Sequence, residues 1–198
     1  MGGVNISETK EYSYLGQVTA FVNTEDKQID ARISAAWKAF WGLKKFFKSF
    51  LPVHLKKHLF EACVLPVFTY GGQTWILSEK NIQKLQVAQR AMERSMLNIR
   101  RMDRVQNKVL RASTQIKDVI IAAKELKWNW AGHVARYTDE RLAKVVEDWT
   151  PMNGKRNKGR PKQRWKDQII EHGSIFWRRK AKDRSRWKEI GTSFIRID

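Results

Sequence analysis

From Ile29 onward, apolar positions recur every three or four residues. Ile29, Ile33, Ala36, Trp37, Phe40, Leu43, Phe47 and Phe50 form one stripe, with Lys38, Lys44, Lys45 and Lys48 on the other faces, which predicts a helix over residues 29–50. Aromatic side chains at that spacing belong to a core before they belong to a stacking platform. Pro52 suits the first turn of a second helix, which would bury Val53, Leu55, Leu59, Phe60 and Cys63 and expose Lys56, Lys57 and His58. Pro66 is expected to end or kink that helix. After the swivel at Gly71-Gly72, Ser78 is expected to N-cap a third helix with the stripe Ile82, Leu85, Ala88, Met92, Met96 and Ile99. Three helices with short connections predict a small bundle.

Ser113-Thr114 is expected to cap a fourth stripe, Ile116, Val119, Ile120, Ala123 and Leu126, which runs into Trp128-Asn-Trp130-Ala-Gly-His133. His133, after a glycine in apolar surroundings, reads as a core or capping histidine. Leu142, Val145, Val146 and Trp149 predict a short helix, Trp165 to Ile170 another, and Phe176 to Ile190 a last one marked by Trp177, Ala181 and Trp187. Upstream of all of these, the aromatic and β-branched run Tyr12 to Val22 around Gly16 predicts a hairpin, which is marginal alone and needs something to pack on. The expected fold class is mainly α. A short N-terminal β-hairpin (1–24) precedes a helical bundle (25–112) and a small basic helical C-terminal region (113–198) with a loop at 150–164. No internal repeat stands out.

Charge changes the picture. The chain of 198 residues carries a net charge of +19. Residues 1–99 hold 13 basic and 8 acidic side chains, whereas residues 100–198 hold 26 and 12. Such a bias governs partners and association rate more than fold. Seven of the twelve residues from Lys155 to Lys166 are Lys or Arg and none is acidic. Gly154, Gly159 and Pro161 interrupt the run, so it reads as a loop. Guanidinium and ammonium groups beside tryptophans suit a nucleic acid first and an anionic membrane surface second. For an isolated run, a solvated linker is the commoner meaning. No apolar stretch approaches the ~20 residues that span a bilayer, and no N-terminal signal segment is recognisable. Met1-Gly2-Gly3 looks like an arbitrary start, as if the chain opened partway through a larger architecture. The expectation is an intracellular protein, nuclear with cytoplasmic assembly and not secreted.

Candidate chemistry is sparse. The single Cys63 excludes an intrachain disulfide and reads as a small core residue in a reducing compartment. His54 and His58 share helical spacing but lack a third ligand, so they read as surface or packing residues and not as a metal site. No Ser/His/Asp or Cys/His set and no phosphate-cradling glycine loop can be assembled. Glu25-Asp26, Asp139-Glu140 and Glu147-Asp148 read as solvated surface pairs and not as metal-holding carboxylates. The expectation is no autonomous catalytic site, no cofactor and no small-molecule substrate.

Several stretches together resemble the C-terminal part of the reverse transcriptase polyprotein of non-LTR (LINE-type) retrotransposons. Tyr14-Leu15-Gly16 resembles the end of the palm near the primer-grip hairpin. Arg32-Ile33, Ala36 to Phe40, Leu65 to Gly71 and Gln73-Thr74-Trp75 resemble the helical thumb, and Leu85, Ala88, Gln89 and Arg90 its following helix. Trp130-Ala-Gly132-His133-Val134-Ala-Arg136, Gly159-Arg160-Pro161 and Arg164-Trp165 resemble the tail motifs. The likeness runs from about Glu11 to the end, and it is the number, order and spacing of short matches that make it specific. The family's catalytic fingers and palm, with their metal-binding Asp-Asp turn, have no counterpart here. The resemblance therefore implies Mg2+ only for a full-length enzyme. It leaves this chain the role of thumb and tail gripping template–primer or element RNA, with RNA and DNA as partners. The candidate contacts are Lys44, Lys45, Lys48, Arg100, Arg101, Arg104, Lys155, Arg156, Lys158, Arg160, Lys162, Arg164, Trp165 and Lys166, with Tyr14, Leu15 and Gly16 as the primer-grip-like group. The alternative is a domesticated basic helical adaptor that binds protein or chromatin, and neither reading fixes an oligomeric state.

Overall fold

The computed structural model describes Thr9 and residues 11–20, 24–138, 141–148 and 163–196. The protein is mainly helical with a two-stranded hairpin, as the sequence pattern predicts. Two compact units form, Met1–Tyr70 with Ser78–Ile116, and Gly71–Leu77 with Lys117–Asp198.

In the first unit, β1 (Glu11–Tyr14) pairs antiparallel with β2 (Gln17–Ala20), from Glu11 opposite Ala20 to Tyr14 opposite Gln17. The two-residue turn has Leu15 at φ +48° and Gly16 at φ +75°, the positive pair that a type I′ hairpin turn requires. Leucine is strained there, but both turn carbonyls are held: Tyr70 Oη donates to Leu15 O at 3.0 Å and Arg32 Nη2 to Gly16 O at 2.6 Å. The Arg32 guanidinium lies 5.3 Å from the Tyr70 ring centroid. Val18 N–H donates to Gln28 Oε1 at 2.6 Å, which ties β2 to α1 (Thr24–Gly42).

The expected single helix over 29–50 breaks at Leu43, where φ and ψ leave the helical region, and α2 (Lys44–Phe47) restarts. The break brings Phe47 onto Phe40, stacked at 4.5 Å and 7° with both rings fully buried. On an unbroken helix those rings would lie ~10 Å apart along the axis. Phe50, expected in the stripe, is consequently exposed.

α3 (Val53–Leu59) continues through a π-helical turn (Phe60–Val64) into α4 (Leu65–Phe68), so Pro66 does not end the helix. The wider turn lies just before the proline, which cannot make the regular amide bond. The face of this helix is also rotated from expectation: Lys56 is buried, whereas Leu55 and Cys63 are exposed.

α5 (Glu79–Met96) buries Leu85, Ala88, Met92 and Met96 as expected, with Ser78 Oγ accepting from Asn81 N–H. After a 3-10 turn (Arg101–Asp103), α6 (Asn107–Thr114) follows. Ser113-Thr114 therefore lies at a helix end and is not the expected cap. Thr114 Oγ1 donates to buried Glu93, which also accepts from Arg90 at 2.8 Å and Arg111 at 2.9 Å.

The second unit opens with a 3-10 turn (Gly72–Thr74) against α7 (Val119–Arg136). Asp118 is the true cap of α7, accepting from Ile120 N–H at 2.9 Å. Leu126 and His133 both lie on the exposed face of α7, so neither takes the buried place expected of it. α8 (Leu142–Asp148), α9 (Trp165–Gly173), α10 (Trp177–Ala181) and α11 (Arg184–Ile195) follow. The last expected helix is thus two, separated where Asp183 caps α11 by accepting from Ser185 and Arg186 N–H.

The core of this unit is a reciprocal tryptophan pair. Trp128 and Trp187 stack at 3.9 Å and 8°, each indole Nε1 donating to the other's main-chain carbonyl, at 2.9 and 3.1 Å. Four residues after each tryptophan lies a glycine. A Cβ on Gly132 would meet Trp187 Nε1 at 2.5 Å, and one on Gly191 would meet Trp128 Nε1 at 2.5 Å. Beside this pair, Lys127 is fully buried. Its ammonium donates to Trp75 O at 3.0 Å and to Gln168 Oε1, and lies 5.5 Å from the Trp165 ring centroid. Burial pushes its pKa down to about 7, only partly opposed by Asp167.

Two outcomes are expected. Gly132→Ala and Gly191→Ala each destabilise the protein by ~1–3 kcal/mol, since the ring stack has to move. The double variant costs less than the sum, because both perturb one contact. Additive losses in urea unfolding, or none, would refute the packing. For Lys127, the folded pKa lies below the unfolded value of about 10.4. Between about pH 7 and 10 the unfolded chain holds a proton that the folded chain lacks, so stability rises with pH in that window. Tryptophan-monitored unfolding at pH 6.5 and pH 9 should show this rise in the native chain and a smaller one in Lys127→Met.

Candidate nucleic-acid interface

In the first unit, the cations cluster at the C-terminal end of α5. That helix closes in a Schellman motif, with Ile99 N–H donating to Arg94 O at 2.9 Å and Asn98 N–H to Ser95 O at 3.3 Å, and with Asn98 at φ +57°. Lys48 reaches this end, donating to Ser95 O and to Asn98 Oδ1 at 3.0 Å. Buried Lys56 adds a 3.4 Å contact to Met96 O. Positive charge at the negative end of the helix dipole is favourable. Burial, and then the charge of Lys48, lower the pKa of Lys56. Lys48 therefore has a structural task of its own.

Lys44 and Lys45 lie exposed on α2, with Lys44 Nζ 6.0 Å from the Trp41 ring centroid. Beyond α5, Arg100, Arg101 and Arg104 are exposed on the 3-10 turn and its exit. Arg100 N–H donates to Asp103 Oδ2 at 2.7 Å, and Arg104 sits at φ +50°. Arg94 supports this segment from below, donating to Val105 O at 3.0 Å and to Asn107 Oδ1 at 2.7 Å. Among the described residues, no ion pair joins Lys44, Lys45, Arg101 or Arg104 to an acid. Exposed Trp41, Phe46 and Phe50 accompany Lys44 and Lys45 on or just beyond this stretch. Tyr14 and Leu15 of the hairpin are also exposed, while Gly16 provides the carbonyl that Arg32 grips.

In the second unit, Arg164 precedes α9 in an arrangement like that of Arg100. Its N–H donates to Asp167 Oδ2, three residues on, at 2.7 Å, and its side chain is exposed. Trp165 is committed to the fold, since its Nε1 donates to Gln73 O at 2.7 Å and Lys127 lies over its ring. Lys166 is half-buried. Lys155, Arg156, Lys158, Arg160 and Lys162 lie outside the described residues.

The sequence pattern did not single out a second basic surface on this unit. From Trp177 to Lys188, seven of twelve residues are Lys or Arg and Asp183 is the one acid. Arg178 turns inward to Glu147, whereas Phe176, Arg179, Lys180, Asp183 and Arg186 line a cleft of about 350 Å³. Hydrogen bonding, first from the Ser185 hydroxyl and next from Arg186 N–H, holds the Asp183 carboxyl below the usual carboxylate range. The signal that could have found this cleft was in the sequence: cation density equal to that of the 155–166 run.

The tail-motif residues divide by task. Gly132 admits the Trp187 ring, Arg136 Nη1 donates to Ala181 O at 2.6 Å, and His133 faces solvent. Among the described residues, no group of three or more His, Cys, Asp or Glu comes together as a metal site would require, and no helix is long and apolar enough to cross a membrane.

No family model matches the chain, and no solved structure matches it. An uncharacterized transposon-derived protein of Caenorhabditis elegans is 31% identical over 198 aligned residues, which cover 93% of this chain and 71% of that protein. At that identity and coverage, the chain belongs to the same family of transposon-derived proteins.

Proposed function

We propose that the protein is a non-catalytic, nucleic-acid-gripping derivative of a retroelement reverse transcriptase, its thumb-like and tail-like regions holding template–primer or element RNA. The observation that carries this reading is a set of exposed cations, Lys44, Lys45, Arg101 and Arg104, with no acidic partner among the described residues, in a chain of net charge +19. Such groups neutralise phosphate and position a strand without reading its sequence. The transposon-derived relative and the ordered series of thumb-like and tail-like motifs support the same reading. Polymerase activity is not part of it, because the metal-holding carboxylates of such enzymes have no counterpart in the sequence. A protein that works on element RNA and target DNA would act in the nucleus.

The adaptor reading has one observation of its own. Leu142, Val145 and Val146 lie exposed on α8, at 79%, 49% and 68%, a face that a protein partner could cover. Salt dependence separates the two. Binding through ~6–10 phosphates weakens by ~10³–10⁵ between 50 and 200 mM salt, whereas an apolar interface changes little. Titration against a structured RNA and a DNA duplex at both salt concentrations is expected to show the steep loss. Replacing Lys44, Lys45 and Arg101 with alanine should lower the slope of log affinity against log salt by about 1 per cation that contacts phosphate. Replacing Arg160, Lys162 and Arg164 should weaken RNA binding with helical circular dichroism unchanged. Salt-insensitive binding, or loss of helicity in step with binding, would refute the reading.

A further inference from the structure

The cleft at the corner of α10 and α11 combines several features of a ligand site. It is concave, and its volume of about 350 Å³ falls within the ~300–1,000 Å³ typical of small-ligand sites. Three cations, Arg179, Lys180 and Arg186, line it, and among the described residues no ion pair joins any of them to an acid. Their neighbour Arg178 is committed elsewhere, to the Glu147 carboxylate and the face of Trp177.

The cleft also holds a free aromatic face. Phe176 is 64% exposed, although its main chain is fixed: Phe176 O accepts from Arg179 N–H at 3.0 Å and Lys180 N–H at 3.2 Å. Trp177, the next residue, is buried in the core. A large apolar ring held in water beside three cations has no packing rationale, but it suits a planar base whose phosphates are neutralised alongside. Asp183 adds an acceptor on the same wall. Its Oδ1 is taken by Ser185 and Arg186, which orients the carboxylate.

Building on the nucleic-acid reading, we propose that this cleft takes one unpaired nucleotide of a single strand, with the base on Phe176 and the flanking phosphates on Arg179, Lys180 and Arg186. A duplex keeps its bases stacked inside and can offer the cleft only phosphate. Single-stranded ends or loops are therefore its substrate class.

The test uses the full chain and a fluorescein-labelled oligouridylate twelve-mer, compared with the same strand made abasic throughout, by anisotropy at 150 mM salt. The base-bearing strand is expected to bind roughly ten-fold or more tightly, the scale of one base–aromatic stack. Phe176→Ala should erase that difference and Phe176→Trp should keep it. Arg179→Ala with Arg186→Ala should weaken both strands and flatten the salt dependence. Since Phe176 is exposed, these variants should keep the helical circular dichroism of the native chain. If both strands bind equally, or if Phe176→Ala leaves the difference intact, this proposal falls while the nucleic-acid reading stands. If neither strand binds at any salt concentration, this proposal falls, and if the structured RNA and the DNA duplex fail as well, the nucleic-acid reading falls with it.

Discussion

Two tryptophans and two glycines, one of each on α7 and on α11, set the geometry of the second unit. A 3.9 Å stack requires the rings of Trp128 and Trp187 to pass over the opposing backbone, and only a residue without a Cβ leaves that space. Each buried indole N–H then donates to a helical carbonyl, using its second lone pair, so that neither donor is left unsatisfied. Once this crossing is fixed, Ile169, Trp177, Ala181 and Phe194 pack around it. Because Trp177 turns toward that core, its neighbours Phe176 and Arg179 are left at the surface. The packing of the second unit and the composition of its cleft have one cause.

In the first unit, the corresponding constraint is the end of α5. Its carbonyls attract Lys48 and Lys56, and its Schellman turn hands the chain on to Arg100, Arg101 and Arg104. Glu93, one turn earlier, is fully buried and meets Arg90, Arg111 and Thr114. Removing one member of such a cluster would strand a buried charge, which costs several kcal/mol. The cations of this unit therefore fall into two groups. Those beneath the segment hold it in place, and those upon it are left to meet something else.

Helical periodicity was legible wherever a stripe stayed on one face. The α5 stripe and its Ser78 cap follow from spacing alone. Periodicity was silent where a non-local contact overrode it. The break at Leu43 lets Phe47 stack on Phe40, a pair that periodicity puts on one face but two turns apart. Lys56 reads as solvated until the α5 carbonyls come within reach of it. Gly71–Leu77 packs with α7, some 50 residues later, and a swivel glycine pair gives no hint of that. His133 was misjudged for a simpler reason. Gly132 is required by the Trp187 ring on its own side of the helix, and the next residue points elsewhere. On the candidate interface, charge density could not distinguish Arg179 from Arg178, or solvated Arg164 from the committed Trp165.

What the fold does with its acids explains why so much positive charge is left outside. Asp118 and Asp183 cap helices, Asp103 and Asp167 fix the turns that carry Arg100 and Arg164, Glu93 is buried, and Glu147 meets Arg178 at a nearly buried site. Each is engaged by main-chain amides or by cations that the structure needs in place, Glu93 by two of them. With 20 acidic and 39 basic residues the chain cannot neutralise its own surface, although Asp26 and Asp30 do pair with Lys80 and Lys84 there. Self-repulsion of that size opposes compaction, and phosphate binding relieves it. If the proposed nucleic-acid partner binds, thermal stability should rise with its concentration by the mass-action law for a ligand that prefers the native state.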